Sequence, residues 1–244
     1  MINNMEYGNY YIYCITRHTK DLSDNKIQGF HEEAVFFIGY KELVAYVSMT
    51  SFTYLEANYD NLKRHEDVIG GVMKECAVLP MRFSTICKSK DKVIAMLQDY
   101  YPQFMRGLVR VEGKVEMGIK VFYKLNFEQE DKQDKELIVK PKDYMMRRYE
   151  RFRMRQSRID EVLKPIEEFH KKLSEIAKET ISTKPLKNNL IFNASYLVDR
   201  ERRHEFNQAV MEMIHQNPTY KIHYSGPWPA YHFVNIDKEE VNHE

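Results

Sequence analysis

The sequence predicts an α+β protein, and three observations carry that prediction. Short β-branched and aromatic runs recur from Tyr10 to the last residues, each bounded by turn-forming residues. Between them lie segments whose apolar residues recur at helical spacing. The runs and helices alternate in two mixed groups, with no period in the range of roughly 20–50 residues that marks a repeat array. The expected architecture is helices on one face of a largely antiparallel sheet in each of two units, residues 1–110 and 111–244.

Tyr10-Tyr-Ile-Tyr-Cys-Ile15 reads as a strand covered on both faces, followed by a polar loop from Thr19 to Gly29. Residues 34–38 and 43–47 flank Gly39-Tyr-Lys-Glu as a hairpin. A helix is expected over 58–75, with Leu62, His65 (or Glu66), Ile69, Val72 and Met73 at its spacing, although Gly70-Gly71 weakens its middle. Val78–Phe83 reads as a short strand that Pro80 confines to an edge or bulge. Ser89 caps a helix running towards Val109, with a break at Pro102. A strand with alternating Val115, Met117, Ile119 and Val121 follows, then an acidic turn over 128–136.

From Lys140 the character changes. Residues 140–158 carry eight Lys/Arg against Asp143 and Glu150. Ile159, Val162, Ile166, Phe169, Leu173 and Ile176 then repeat at 3–4 spacing, the pattern of a seam for another helix. The reading is one long helix over about 143–182, projecting or packed as a hairpin, with Pro165 inside it. Leu190–Val198 reads as an inner strand, and Asp199 as the cap of a helix from Arg200 to Gln216. Strands over 220–224 and 231–236 end the chain.

Composition bounds the function. Of the 244 residues, 43% are hydrophobic and 30% charged, the balance of a soluble globular chain. The net charge of +1 exerts no global pull towards nucleic acid or anionic lipid. No apolar run approaches the roughly 18 residues of a membrane span, and the polar N-terminus is not a signal peptide. Three cysteines, Cys14, Cys76 and Cys87, without a Cys-x-x-Cys pair suit a reducing cytoplasm.

No catalytic signature is present. Gly113-x-x-x-x-Gly118 lacks the Lys-Ser/Thr of a phosphate loop, and His65-Glu66 lacks the second histidine of a zinc protease. No cofactor or metal site is expected. Arg82 beside Pro80 and Phe83 reads as a buried arginine needing a carboxylate, for which Glu66 is the candidate in a structural brace. The alternative is an enzyme or small-ligand cleft built on the same pair. Arg148, Arg151 and Arg155, interleaved with Tyr149 and Phe152, form either a solvated helix face or a grip on an acidic protein surface; nucleic acid is the least favoured occupant. Ile166, Phe169 and Leu173 are candidate partner-binding residues on the seam. Trp228, Tyr231 and Phe233 are candidates in the stiff corner that Gly226-Pro-Trp-Pro makes, either packed as aromatics or exposed as a ridge.

Four blocks, in order, carry a family resemblance. They are His65-Glu66-x-Val68-Ile69 with Val78-Leu-Pro-Met-Arg-Phe-Ser-Thr85, Val111–Val121, Asn193-Ala-Ser-Tyr-Leu-Val198, and Gly226-Pro-Trp-Pro-Ala-Tyr231-x-Phe233. Together they resemble the gas vesicle protein F/L family (GvpF/GvpL) over nearly the whole chain. Met117 stands where the family usually has tryptophan, Ser84 where it has glycine, and Ala230 where it has a second proline. The resemblance implies two α+β domains, the second a modified ferredoxin-like α/β sandwich with a long helical extension. It implies a non-enzymatic accessory or minor structural protein of gas vesicle assembly. Such a protein contacts the hydrophobic shell protein and other gas vesicle proteins, in the cytoplasm or on the gas-facing side of the vesicle wall.

Overall fold

The fold was analysed in a computed structural model, which describes residues 8–17, 27–123, 141–183 and 189–234; the side chains of 141–144, 147, 151 and 155 lie outside that description. The expected loop over 19–29 falls mostly outside it, and the acidic turn over 128–136 wholly so. Contacts gather the chain into two compact units, Met1–Glu116 with Gly226–Glu244, and Met117–Ser225. The expected division at 110 had put the C-terminal segment in the second group; its side chains instead pack into the first.

The first unit is built on β1 (Asn9–Arg17), β2 (Phe36–Tyr40), β3 (Leu43–Thr50), β4 (Val78–Pro80) and the two-residue β5 (Ile86–Cys87). The order is β2-β3-β1-β4, with β5 also on β1, and every pairing is antiparallel. Pro80 lies on an edge strand, where its missing N–H costs no ladder bond. The run from Tyr10 to Thr16 is buried throughout, so both faces of β1 are covered, as its apolar run predicts. Tyr11, Tyr13, Val44 and Tyr46 pack with Val68, Ile69 and Val72 of helix α1 (Tyr59–Met73). Helices α2 (Lys90–Asp99) and α3 (Tyr101–Val111) pack against the strands as well. Gly107 lets α3 approach β4: a Cβ there would sit 3.1 Å from a Leu79 methyl.

Local chemistry sets these boundaries. Asn58 Oδ1 accepts the Asn61 amide at 2.9 Å and starts α1; Ser89 Oγ accepts the Lys92 amide at 3.2 Å and starts α2. Pro102 falls in the first turn of α3, where a proline costs no helical hydrogen bond, so the expected break becomes a new helix start.

The second sheet has the order β7-β8-β6-β9, formed by β6 (Lys114–Phe122), β7 (Glu179–Thr183), β8 (Leu190–Asp199) and β9 (Lys221–Trp228). β7 and β8 pair antiparallel from Glu179↔Leu197 to Thr183↔Asn193. Helix α4 (Pro141–Ile176) links β6 to β7, and α5 (Arg203–Gln216) links β8 to β9 after a 3-10 turn over Arg200–Arg202. Three expectations fail here. α4 ends at Ile176 and the chain pairs as β7, because Thr180, Ile181 and Thr183 suit a strand alongside β8. Asp199 makes no side-chain cap; its carboxylate faces Lys178 Nζ at 3.4 Å. Tyr231–Phe233 is a turn, not a strand.

The seam of α4 is internal. Ile166, Phe169, Leu173 and Ile176 are buried, and α4 packs on α5 and β8. The seam was expected to await a partner; its partner is the unit's own helix and sheet. Leu173→Ser is therefore expected to destabilise the protein by about 3–5 kcal/mol, the cost of deleting a buried leucine and leaving a hydroxyl in its place. Chemical denaturation of the variant checks this.

Candidate functional site

The C-terminal corner divides its aromatics between core and surface. Gly226, at φ 117°, and Pro227 carry β9 to Trp228, and a turn follows in which the Tyr231 amide donates to Pro229 O at 2.7 Å. Phe233 is 1% exposed, and Tyr231 is half-buried against the Tyr11–His65 side of the first core. Burial pushes the Tyr231 hydroxyl well above its ordinary pKa, with Glu66 adding to the rise. Arg110 Nη1 donates to Phe233 O at 2.9 Å, and the His232 amide donates to Glu116 Oε2 at 2.9 Å. The Glu116 side chain is only 4% exposed, and His232 Nδ1 lies 2.5 Å from its other oxygen. The accessible ridge reduces to Trp228, at 38% exposure.

The Glu66–Arg82 brace does not form. Both residues are exposed, and among the described residues no ion pair joins them. β4 ends at Pro80, so Arg82 is not the buried strand residue that the apolar run suggested. The inward-facing residue of α1 is His65, whose two ring nitrogens meet Tyr11 Oη at 3.0 Å and Met81 O at 3.1 Å. Tyr11 Oη also accepts the Ser84 amide at 3.0 Å, and Ser84 Oγ accepts the Leu55 amide at 2.9 Å. Ser84 takes φ 64°, a conformation that glycine adopts freely, at the position where the family usually carries glycine. Its hydroxyl offsets the backbone cost with a hydrogen bond. Burial lowers the His65 pKa to about 4, which suits a neutral imidazole wedged in a core.

The long helix has two unlike halves. From Ile159 to Leu163 its apolar residues are half-buried, and Ile166, Phe169, Leu173 and Ile176 are buried. Before Ile159, Met145, Met146, Tyr149, Phe152 and Met154 are all exposed, from 57% to 72%. Met145, Tyr149 and Phe152 fall at i, i+4 and i+7, one face of the helix. Arg148 and Arg153 are exposed beside them, while the side chains of Arg151 and Arg155 lie outside the described residues. Sequence reasoning picked out the arginines with Tyr149 and Phe152 but missed the methionines. The i, i+4, i+7 spacing was the available signal.

Residues 9–235 match the family described as gas vesicle synthesis protein GvpL/GvpF. The chain belongs to this family. It is 28% identical over 193 residues to gas vesicle protein L of Streptomyces sp. CB03234, covering 75% of this chain and 72% of that one. It is 28% identical over 207 residues to gas vesicle protein F1 of Halobacterium salinarum, covering 84% and 83%. Its fold matches the crystal structure of gas vesicle protein GvpF from Anabaena sp. PCC7120 with a TM-score of 0.81, at 23% identity and over 97% of this chain and 100% of that one.

Within this GvpL/GvpF chain, the described residues include no His/Cys/Asp/Glu group able to hold a metal ion and no helix long and apolar enough to cross a membrane. Of the residues that the sequence singled out, Phe233 and His65 are buried, while Trp228 and Arg148 are exposed. Phe233→Ala is expected to cost about 3–5 kcal/mol in chemical denaturation, and Trp228→Ala under about 1 kcal/mol, because only the first empties a closed core site. His65 has a second consequence. Its folded pKa of about 4 lies below the unfolded value of 6.5, so its stabilising contribution is complete above pH 6.5 and drains away as the pH falls towards 4. The full difference is worth roughly 3 kcal/mol. Denaturation at pH 7.5 and 4.5 should show that loss in the native protein, and less of it in His65→Gln.

Proposed function

We propose that this protein is an accessory or minor structural protein of gas vesicle assembly, working by contact with the hydrophobic shell protein and other gas vesicle proteins in the cytoplasm or at the gas-facing side of the wall. Family membership supports the gas vesicle role. The observation that carries the contact reading is the exposed apolar face of α4, Met145, Tyr149 and Phe152. Solvent-exposed methionine and aromatic side chains in one row are costly to leave in water and suit an adaptable apolar grip. The arginines around them keep that row soluble until a partner covers it. The enzyme alternative at Glu66 and Arg82 draws no support from their geometry, since neither is held in a closed cleft by the other, and the neighbouring His65 is committed to the core.

The second unit is read as a modified ferredoxin-like domain. In chain order it runs β6-α4-β7-β8-α5-β9, and its sheet order places β6 and β8 centrally with β7 and β9 at the edges. That is the strand order expected of a split βαβ arrangement, with α4 as an overlong first helix.

The test is capture of the purified shell protein at low and high salt. The native protein should retain it at both, and the triple variant Met145→Ser, Tyr149→Ser, Phe152→Ser should lose at least tenfold in retention with an unchanged denaturation curve. Failure of the native protein to retain the shell protein would remove the proposal.

A further inference from the structure

We infer that the outer half of α4 is the docking groove for a single amphipathic helix with an acidic flank, contributed by another protein and lying along Met145, Tyr149, Phe152 and Ile159. The inference rests on the reading that this face is a contact surface, and adds what kind of chain covers it.

The argument begins with continuity. Met145, Phe152, Ile159, Ile166 and Leu173 are spaced by seven residues and form one stripe that drifts slowly round the helix, by about 20° per heptad. The inner part of that stripe is already covered, and part of the cover is a helix. α5 packs on α4, with Ala209, Glu212 and Met213 facing Pro165, Phe169 and Lys172 across a shared groove. The cover stops near Val162, where Tyr220 Oη donates to the Val162 carbonyl at 2.9 Å. Ile159 is half-buried, and Phe152 and Met145 are 65% and 72% exposed. The stripe thus runs out from beneath its own helix into solvent without changing its spacing. From Met145 to Ile159 it spans about 21 Å at 1.5 Å per residue, which about four turns of a partner helix would cover.

Charge selects the occupant. The internal interface already shows the rule: Lys172 Nζ on α4 donates to Glu212 Oε2 on α5 at 2.7 Å. Arg148 stands three residues after Met145 and four before Phe152, and Arg153 four after Tyr149, so cations lie beside the exposed row. The segment 140–158 holds eight Lys/Arg against Asp143 and Glu150. A second copy of the outer half laid on the same row would bring like charges together, which disfavours self-pairing there. A helix with glutamates flanking an apolar stripe satisfies both the row and its borders. Nucleic acid would satisfy the arginines alone and leave the row uncovered; an anionic bilayer would take both, so the vesicle probe below separates it from a helix.

The experiment titrates the full-length protein into a labelled synthetic helical peptide with a leucine stripe flanked by glutamates, and into the same peptide with lysines for the glutamates. Fluorescence anisotropy is the readout, with phosphatidylcholine/phosphatidylglycerol vesicles and a DNA duplex as parallel probes. The acidic peptide should bind at least tenfold more tightly than the basic one. The triple variant Met145→Ser, Tyr149→Ser, Phe152→Ser should weaken it at least tenfold. Arg148→Glu with Arg153→Glu should reverse the preference towards the basic peptide. All these side chains are exposed, so the denaturation curves should match the native one and a lost signal is not lost folding. Equal binding of the two peptides, no reversal in the double variant, or vesicle or DNA binding as tight as that of the acidic peptide would overturn the inference. Acidic-peptide binding without shell-protein capture would leave the groove standing and remove the shell protein as its occupant; capture without peptide discrimination would do the reverse.

Discussion

The first unit is closed by a carboxylate that cannot be left alone. Glu116 is buried at the end of the first unit's N-terminal segment, and its partners come from His232, 116 residues further on. A buried carboxylate without donors is expensive, so the segment that carries His232 has to return. Returning, it brings Phe233 into the core and Tyr231 against α1, and Arg110 fixes the Phe233 carbonyl. The first unit is therefore assembled from both ends of the sequence, with residues 117–225 inserted between them. The Gly-Pro-Trp-Pro corner turns the chain out of β9 and delivers Tyr231 and Phe233 to that core, while Trp228 remains at the surface.

The same economy separates the halves of α4. From Ile166 to Ile176 the helix spends its apolar residues on α5 and β8, and any partner there would have to displace the unit's own core. From Met145 to Phe152 it carries large side chains that nothing in the described chain buries, held among arginines. Composition follows the division. Branched and aromatic residues with few rotamers fill the inner half; flexible methionines dominate the outer one, where a surface must adapt to what covers it.

Much of the fold was legible because it rests on local signals. Apolar runs marked β1 and β3, alternation marked β6, the cap at Ser89 gave one helix start, and Pro102 gave the break between α2 and α3. The seam of α4 was visible as a spacing, but spacing reports only that a face is covered. Whether the cover is internal is decided by where α5 returns, which no local pattern encodes. The corner failed for a similar reason: in a proline-bounded turn there is no period to say which of Trp228, Tyr231 and Phe233 points inward. The Arg82 reading failed through a boundary error of three residues, since β4 stops at Pro80 and not at Phe83, and an arginine beyond the strand end is free to leave the core. His65 and Glu66 are neighbours on α1, and a choice between them needed the position of Tyr11, 54 residues away.

An exposed apolar row on a stable protein is a liability unless something prevents copies from joining through it. Net charge does not provide that here, since the whole chain carries only +1. Local charge does. The arginines that border Met145, Tyr149 and Phe152 turn the same row into a surface repulsive to itself and receptive to a chain of opposite sign. On the proposed reading the basic run gains a physical reason that a merely solvated helix face lacks, because solvation alone requires neither an eight-to-two excess of one sign nor apolar residues in register. The register continues that of the buried seam, so an arriving helix would extend packing that the fold already uses rather than create a new kind of contact.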